Sequence, residues 1–163
     1  MVYIALAVSA GLVVIDQIIK LVVNLNLMPY ETISLINIGG RDWLNLTYVR
    51  NTGAGFGIFK DQRWFLIAVT AIYVSVLLYL LLSKKIKQPF LIWSVALIIS
   101  GGIGNLIDRI FLGYVVDFID LRIINFAVFN FADCCVVIGV IMIFIYVLFL
   151  SGRKEKTKDQ ENV

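Results

Sequence analysis

Histidine is absent from all 163 residues. Without an imidazole there is no histidine base, no histidine metal ligand and no triad built on one, so any chemistry has to run on carboxylates, Lys, Arg or hydroxyls. Cysteine is nearly as scarce. Cys134 and Cys135 are neighbours, so they cannot form an unstrained disulfide with each other and lack the spacing of a zinc site; they read as small apolar residues on a helix. Charge is also thin, at 15% of the chain against 61% hydrophobic, which excludes an ordinary soluble domain. The net charge of +3 is spread over short segments without forming a basic stripe, and this argues against nucleic-acid binding. No internal repeat or low-complexity segment is present.

What the chain does have is long apolar runs. A spanning helix needs about 20 mostly apolar residues, and Val2 to Val23, Trp64 to Leu82, Phe90 to Ile107 and Ala132 to Leu150 meet or approach that length. The first run lacks a basic flank and continues past the small residues Ser9, Ala10 and Gly11, so it reads as a span rather than a cleaved signal. No proline interrupts a span. Lys84, Lys85 and Lys87 lie between spans two and three, and Arg153, Lys154, Lys156 and Lys158 follow span four. The positive-inside rule puts both segments, and hence both termini, in the cytoplasm. Residues 24–63 and 108–131 are then the outer connections. The first shows partial alternation, Leu44, Leu46 and Tyr48 against Asn45 and Thr47, after a turn at Gly39, Gly40, Arg41 and Asp42, and predicts a small β-structure on the outer surface. The expected class is an all-α membrane protein of four transmembrane helices with a small extracytoplasmic β-cradle. Residues 1–151 form one membrane domain and 152–163 a disordered cytoplasmic tail.

Ionisable residues near spans are costly and are functional candidates by default. Asp108, Arg109, Asp117, Asp120, Arg122 and Asp133 cluster at one level, the outer mouth. In GGIGNLIDR, residues 101–109, helical spacing aligns Gly101, Asn105 and either Asp108 or Arg109. Asp117 sits in the apolar run VVDF, extended or helical, where desolvation raises a carboxyl pKa. Asp133 closes FNFAD at the start of span four, where a helix dipole favours an ionised carboxylate. Two carboxylates in unlike environments suit an acid and base pair. The plainer alternatives are that Asp133 is a helix N-cap and that Asp117 pairs with Arg109 or Arg122. Asn105 and Asn130 at the same depth favour a shared site. Asp16 and Lys20 stand four apart in span one and can neutralise each other, with Lys20 snorkelling to headgroups. RNTGAGFGIF, residues 50–59, suits a backbone in close approach or sharp turns but is no phosphate loop.

These residues resemble the lipoprotein signal peptidases, the bacterial aspartyl endopeptidases also called signal peptidase II. The likeness rests on DQIIK at 16–20, RNTGAGFG at 50–57, GGIGNLIDR at 101–109, VVDF at 115–118 and FNFAD at 129–133, in the family's order and approximate spacing. It implies a cytoplasmic-membrane enzyme whose active site lies near the outer leaflet, with Asp117 and Asp133 as the catalytic dyad. Asn51, Gly53, Asn105, Arg109 and Asn130 fall around its pocket, and Asp16 and Lys20 on its first-helix motif. The implied substrate is a prolipoprotein carrying diacylglycerol on its lipobox cysteine, cut on the N-terminal side of that cysteine, and the implied inhibitor is globomycin. Membrane lipid is the expected surrounding partner, and no metal or cofactor is expected. Ile19 stands where the family usually has Thr or Ser, and Gly55 where it commonly has Ala. A lysine-serine peptidase, a small transporter with carboxylates deeper in its spans and a presenilin-like protease with YD and GxGD contexts each fit these residues less well.

Overall fold

The computed structural model describes residues 1–124 and 126–150; the tail expected at 152–163 lies outside them. In chain order α1 (Val2–Asn26) leads to β1 (Thr32–Ile38) and β2 (Arg41–Asn51), then a single 3-10 turn at Gly55–Gly57 and α2 (Arg63–Leu82). After α3 (Pro89–Phe111) come β3 (Val115–Asp120), a second 3-10 turn at Arg122–Ile124, and α4 (Phe131–Ile145) with a π turn at Tyr146–Leu150. Four of these helices are long and apolar enough to cross a membrane. Successive helices run in opposite directions, so the sheet and the starts of α2 and α4 gather at one end, and the lysine-bearing α2–α3 loop lies at the other.

Helix α3 is the central post. Of its most apolar window 56% is buried, against 17%, 22% and 17% for α1, α2 and α4, and it packs on all three. Helices in lipid gain little from hiding apolar surface from each other, so close packing has to come from small residues. Gly139 of α4 is one such contact: a Cβ there would stand 2.6 Å from the Ser94 carbonyl of α3. Gly101 of α3 meets the Ala132 carbonyl of α4 in the same way. Around these contacts Ala5, Val74, Leu81, Ile92, Val95, Ala96 and Ile99 form the bundle's apolar centre.

The three antiparallel strands take the order β1-β2-β3. Gly39 and Gly40, both at positive φ (62° and 77°), form the two-residue turn that joins Ile38 to its partner Arg41, a geometry that few other residues adopt. The expected alternation in β2 breaks down. Asn45, Thr47 and Tyr48 are all buried, because the register shifts between Leu46 and Val49 and puts consecutive residues on covered positions. The third strand comes from the second outer connection, which the alternation did not mark as β; its burial on nearly every residue erases the polar beat that reveals half-exposed strands. Val23 of α1, Leu27 just past its end, Tyr48, Val116 and Phe118 join the sheet to the bundle in a second apolar cluster.

Candidate active site

Strand β3 carries Asp117 between Val116 and Phe118, and all three side chains are buried. Its carboxylate oxygens each accept from a side-chain amide: Oδ2 from Asn51 Nδ2 at 2.8 Å and Oδ1 from Asn130 Nδ2 at 2.6 Å. Burial, seconded by the nearby charge of Asp133, pushes its pKa up to about 7, while the two amide donors oppose the rise. Among the described residues it forms no ion pair. Arg122 is instead bound to Asp120 at 2.8 Å, and Arg109 donates to the Gly53 carbonyl at 2.9 Å. The alternative of a neutralised bridge at Asp117 is therefore not what forms.

Helix α4 begins with a capping box in which Asn130, not Asp133, is the N-cap. Asn130 Oδ1 accepts the Asp133 amide at 3.0 Å, and Asp133 Oδ2 accepts the Asn130 amide at 3.1 Å. Asp133 is thus the third helical residue, its carboxylate facing the free N–H groups of the helix start, where negative charge is favoured. Its other oxygen accepts from Asn105 Nδ2 of α3 at 2.7 Å.

The direction of each amide follows from partners that can only donate. Lys20 Nζ lies 3.0 Å from one amide atom of Asn105, which must be the oxygen, so the NH2 faces Asp133. The Asp133 backbone N–H likewise fixes the Asn130 oxygen and turns its NH2 to Asp117 and, at 3.1 Å, to Asn105 Oδ1. One continuous chain therefore runs from Lys20 through Asn105 to Asp133, and Asn130 links both aspartates.

Lys20 does not snorkel: it is 3% exposed, paired with Asp16 at 2.9 Å and with Asp108 at 3.0 Å. Its three ammonium protons are matched by those two carboxylates and Asn105. A cation with such partners nearby is cheaper to hold inside than to stretch toward headgroups. Asp108 also accepts Gln17 Nε2 at 3.0 Å and the Val116 amide at 3.1 Å, and Asp16 accepts the Ala132 amide at 3.0 Å. The aligned face of α3 accordingly divides: Asn105 turns to Asp133, Arg109 to the Gly53 carbonyl beside the same cleft, and Asp108 to α1. Sequence reasoning gave Asp108 no partner and passed over Gln17; their signal was an acid and an amide one helical turn from other polar span residues.

Asn51 also accepts the Gly53 amide at 2.9 Å, and Gly53 admits no side chain because a Cβ would meet the Ile58 carbonyl at 2.9 Å. Two clefts meet at Asp117. One, of about 230 Å³, is bordered by Asn51, Ala54, Asn105, Arg109, Phe129 and Asp133; the other, of about 330 Å³, by Tyr30, Asn51, Gly53 and Lys60. The segment Ala127 and Val128 borders both. An apolar groove of about 360 Å³ reaches Asp133 past Phe126, Phe129 and Val137. Of the departures, Ile19 packs against the apolar cluster under the sheet, and Gly55 has open space where a Cβ would stand. Cys135 is buried and Cys134 half-buried, both as free thiols.

The family described as Signal peptidase (SPase) II matches residues 8–149. A lipoprotein signal peptidase of Clostridioides difficile is 43% identical over 142 residues, covering 87% of this chain and 93% of that protein. One from Halothermothrix orenii is 41% identical over 159 residues, 98% of this chain and 100% of that protein. A bacterial membrane enzyme solved by the in meso method at 2.3 Å resolution superposes with a TM-score of 0.81 at 32% identity, over 88% of this chain and 87% of its own. Four membrane-capable helices, a three-stranded sheet at their shared end and a sequence match over most of the length agree: the chain belongs to the signal peptidase II family of membrane aspartic peptidases.

Proposed function

We propose that this peptidase removes the signal peptide from diacylglyceryl-modified prolipoproteins, cutting on the N-terminal side of the lipidated cysteine, with Asp117 and Asp133 activating water between them. The observation that carries the reading is Asn130, whose single amide group touches both carboxyl-bearing residues and holds them to one geometry. Asp133, at a helix start and accepting two N–H donors, is the ionised base. Asp117, its pKa pushed up to about 7 by burial, holds its proton below that pH and is the acid.

Asp133 takes a proton from water as the oxygen attacks the scissile carbonyl, and Asp117 gives its proton to the developing oxyanion, leaving a neutral gem-diol. Collapse of the diol returns a proton to Asp117, and Asp133 passes its own to the departing cysteine nitrogen. No covalent enzyme intermediate forms. Arg109, Asn105, Asn51 and Gly53 border the cleft as positioning or substrate-binding groups, and the apolar groove beside Asp133 suits the substrate's acyl chains. In the membrane the lysine loop faces the cytoplasm, both termini share that side and the site opens outward. Globomycin is the expected inhibitor.

The test incubates purified enzyme with a lipidated precursor peptide and its unlipidated twin. Asp117→Asn and Asp133→Asn should each lose cleavage while inserting normally; substantial cleavage by either variant sinks the dyad. Equal cutting of both peptides removes the lipid requirement. Because Asp117 acts protonated, the rate should fall as pH rises through about 7, and an alkaline limb that starts well above that value contradicts the assignment of roles.

A further inference from the structure

A helix leaves its last four carbonyls without intrahelical partners, and α3 has to satisfy them at the rim of the site. Asp108 O accepts the Leu112 amide at 2.8 Å and the Gly113 amide at 3.2 Å, with Gly113 at φ 87° closing the turn. The carbonyls of Arg109 and Ile110 are taken from elsewhere: Arg63, the first residue of α2, donates Nε to the former at 2.7 Å and Nη2 to the latter at 2.8 Å. The Arg63 guanidinium also lies over the Trp64 ring, 5.2 Å from its centroid. A cation at the carboxyl end of a helix suits the dipole as well as the hydrogen bonds.

Residue 109 is therefore gripped twice. Its guanidinium donates to the Gly53 carbonyl at 2.9 Å, and its own carbonyl accepts from Arg63. Gly53 and Arg63 are the two ends of segment 53–63, from which Ala54 and Gly55 border one cleft at Asp117, and Gly53, Gly57 and Lys60 the other. Within the segment the backbone bonds run between near neighbours, with Ala54 N to Ile58 O at 2.7 Å, Gly57 N to Ala54 O at 3.0 Å, Ile58 N to Gly55 O at 3.3 Å and Gln62 N to Phe59 O at 3.1 Å. Gly57, Phe59 and Asp61 all take positive φ, which costs non-glycine residues energy and needs outside support.

We infer that Arg63 is a positioning residue for the reaction: by clamping the end of α3 it ties both ends of the 53–63 loop to residue 109 and so sets the width of the substrate cleft. This rests on Asp117 and Asp133 being the reacting pair. Asn105 and Asn130 hold those two carboxylates from α3 and the start of α4, away from the 53–63 loop, so loss of the clamp acts mainly on substrate binding and leaves the chemical step nearly intact. Arg63→Met keeps the apolar stem and removes every donor; Arg63→Lys restores one.

With a lipidated reporter peptide, Arg63→Met should raise KM about tenfold, a loss shared between the two hydrogen bonds it removes, with kcat within about twofold. Arg63→Lys should recover about half of that loss on a logarithmic scale. Deuterium exchange at the Ala54, Gly57 and Ile58 amides should quicken in Arg63→Met and leave the α3 interior unchanged. A variant that merely destabilises the fold loses active enzyme, so kcat falling in step with protein loss at constant KM overturns the inference, as does an unchanged exchange rate in the loop. If Arg63→Met does not insert, the Lys variant decides by the same two readings, with KM up about threefold. Should the wild type leave every lipidated peptide uncut, the functional reading fails, and loop exchange alone still decides whether the clamp exists.

Discussion

A buried acid whose pKa is raised stores a stability cost that its amide counterpart lacks. Asp117 is 2% exposed, so solvent gives it little relief, and its pKa rises from 3.8 to about 7, roughly 3 pH units. At about 1.36 kcal/mol per unit this is about 4 kcal/mol. The folded protein keeps the proton where the unfolded chain has released it, so the folded state binds more protons across the window from about pH 4 to 7. Stability therefore falls as pH rises through that window and levels off above it. Asp117→Asn cannot ionise and escapes this loss. The amide it introduces also turns an NH2 toward the NH2 of Asn51 or Asn130, but that penalty does not depend on pH and cancels when each protein is compared with itself. Thermal unfolding in detergent, followed by the fluorescence of Trp43, Trp64 and Trp93, should show the wild type losing ground to the variant between pH 4.5 and 8. About 3 kcal/mol of that loss falls between pH 4.5 and 8, which corresponds to about 6–12 °C for a chain of this size. The inactive variant should therefore lose less melting temperature between pH 4.5 and 8 than the wild type does. Melting curves that shift in parallel with pH would refute the burial argument, and with it the choice of Asp117 as the acid.

Further perturbations follow from the other contacts of the structure. Asn130→Ala removes the N-cap of α4 and the donor shared by the two aspartates; it should cost about 1–2 kcal/mol in unfolding and at least about a hundredfold in kcat/KM on a lipidated peptide, and a loss confined to stability would mean the amide only caps. Lys20→Met leaves Asp16 and Asp108 facing each other without a cation, at a cost of about 3–5 kcal/mol; Lys20→Met with Asp108→Asn should regain part of the lost melting temperature, and no recovery would indicate that the ammonium acts through packing alone. Gly55→Ala should change neither melting by more than about 0.5 kcal/mol nor cleavage, whereas Gly139→Leu should prevent α4 from seating against Ser94 and abolish folded protein, as read by size-exclusion profile.

The spans were legible because insertion into lipid depends on local composition, which a window of residues contains in full. Asp117 was legible for a similar reason: an acid between Val115, Val116 and Phe118 loses water in either an extended or a helical chain. Lys20 was not. Its length and its depth in α1 point to headgroups, and only the packing of α1 on α3, which brings Asp108 from 88 positions away, makes an inward course cheaper. Asn130 lay between these cases, since an Asn three residues before an Asp at a helix start is already half of a capping box, but either residue type can cap. Strand β3 was obscured by its own burial, and Arg63 by standing just outside an apolar run, where a cation looks like an ordinary flank.

These non-local contacts also explain why the candidate site lies at the end of the bundle. Hydrolysis needs water, which the bundle interior excludes, yet a carboxyl pKa near 7 needs burial. Asp117 gains both by hanging from a strand that rests on the bundle end, apolar on either side and open to two clefts. The bond directions then propagate inward from groups that cannot reverse. Lys20 can only donate, so Asn105 must present its NH2 to Asp133; the backbone N–H of α4 can only donate, so Asn130 must present its NH2 to Asp117. Each aspartate is held by an amide whose orientation is set one residue further away. The buried cation of the first helix thereby bears on the charge distribution at the start of the fourth, without standing within bonding distance of either candidate catalytic oxygen.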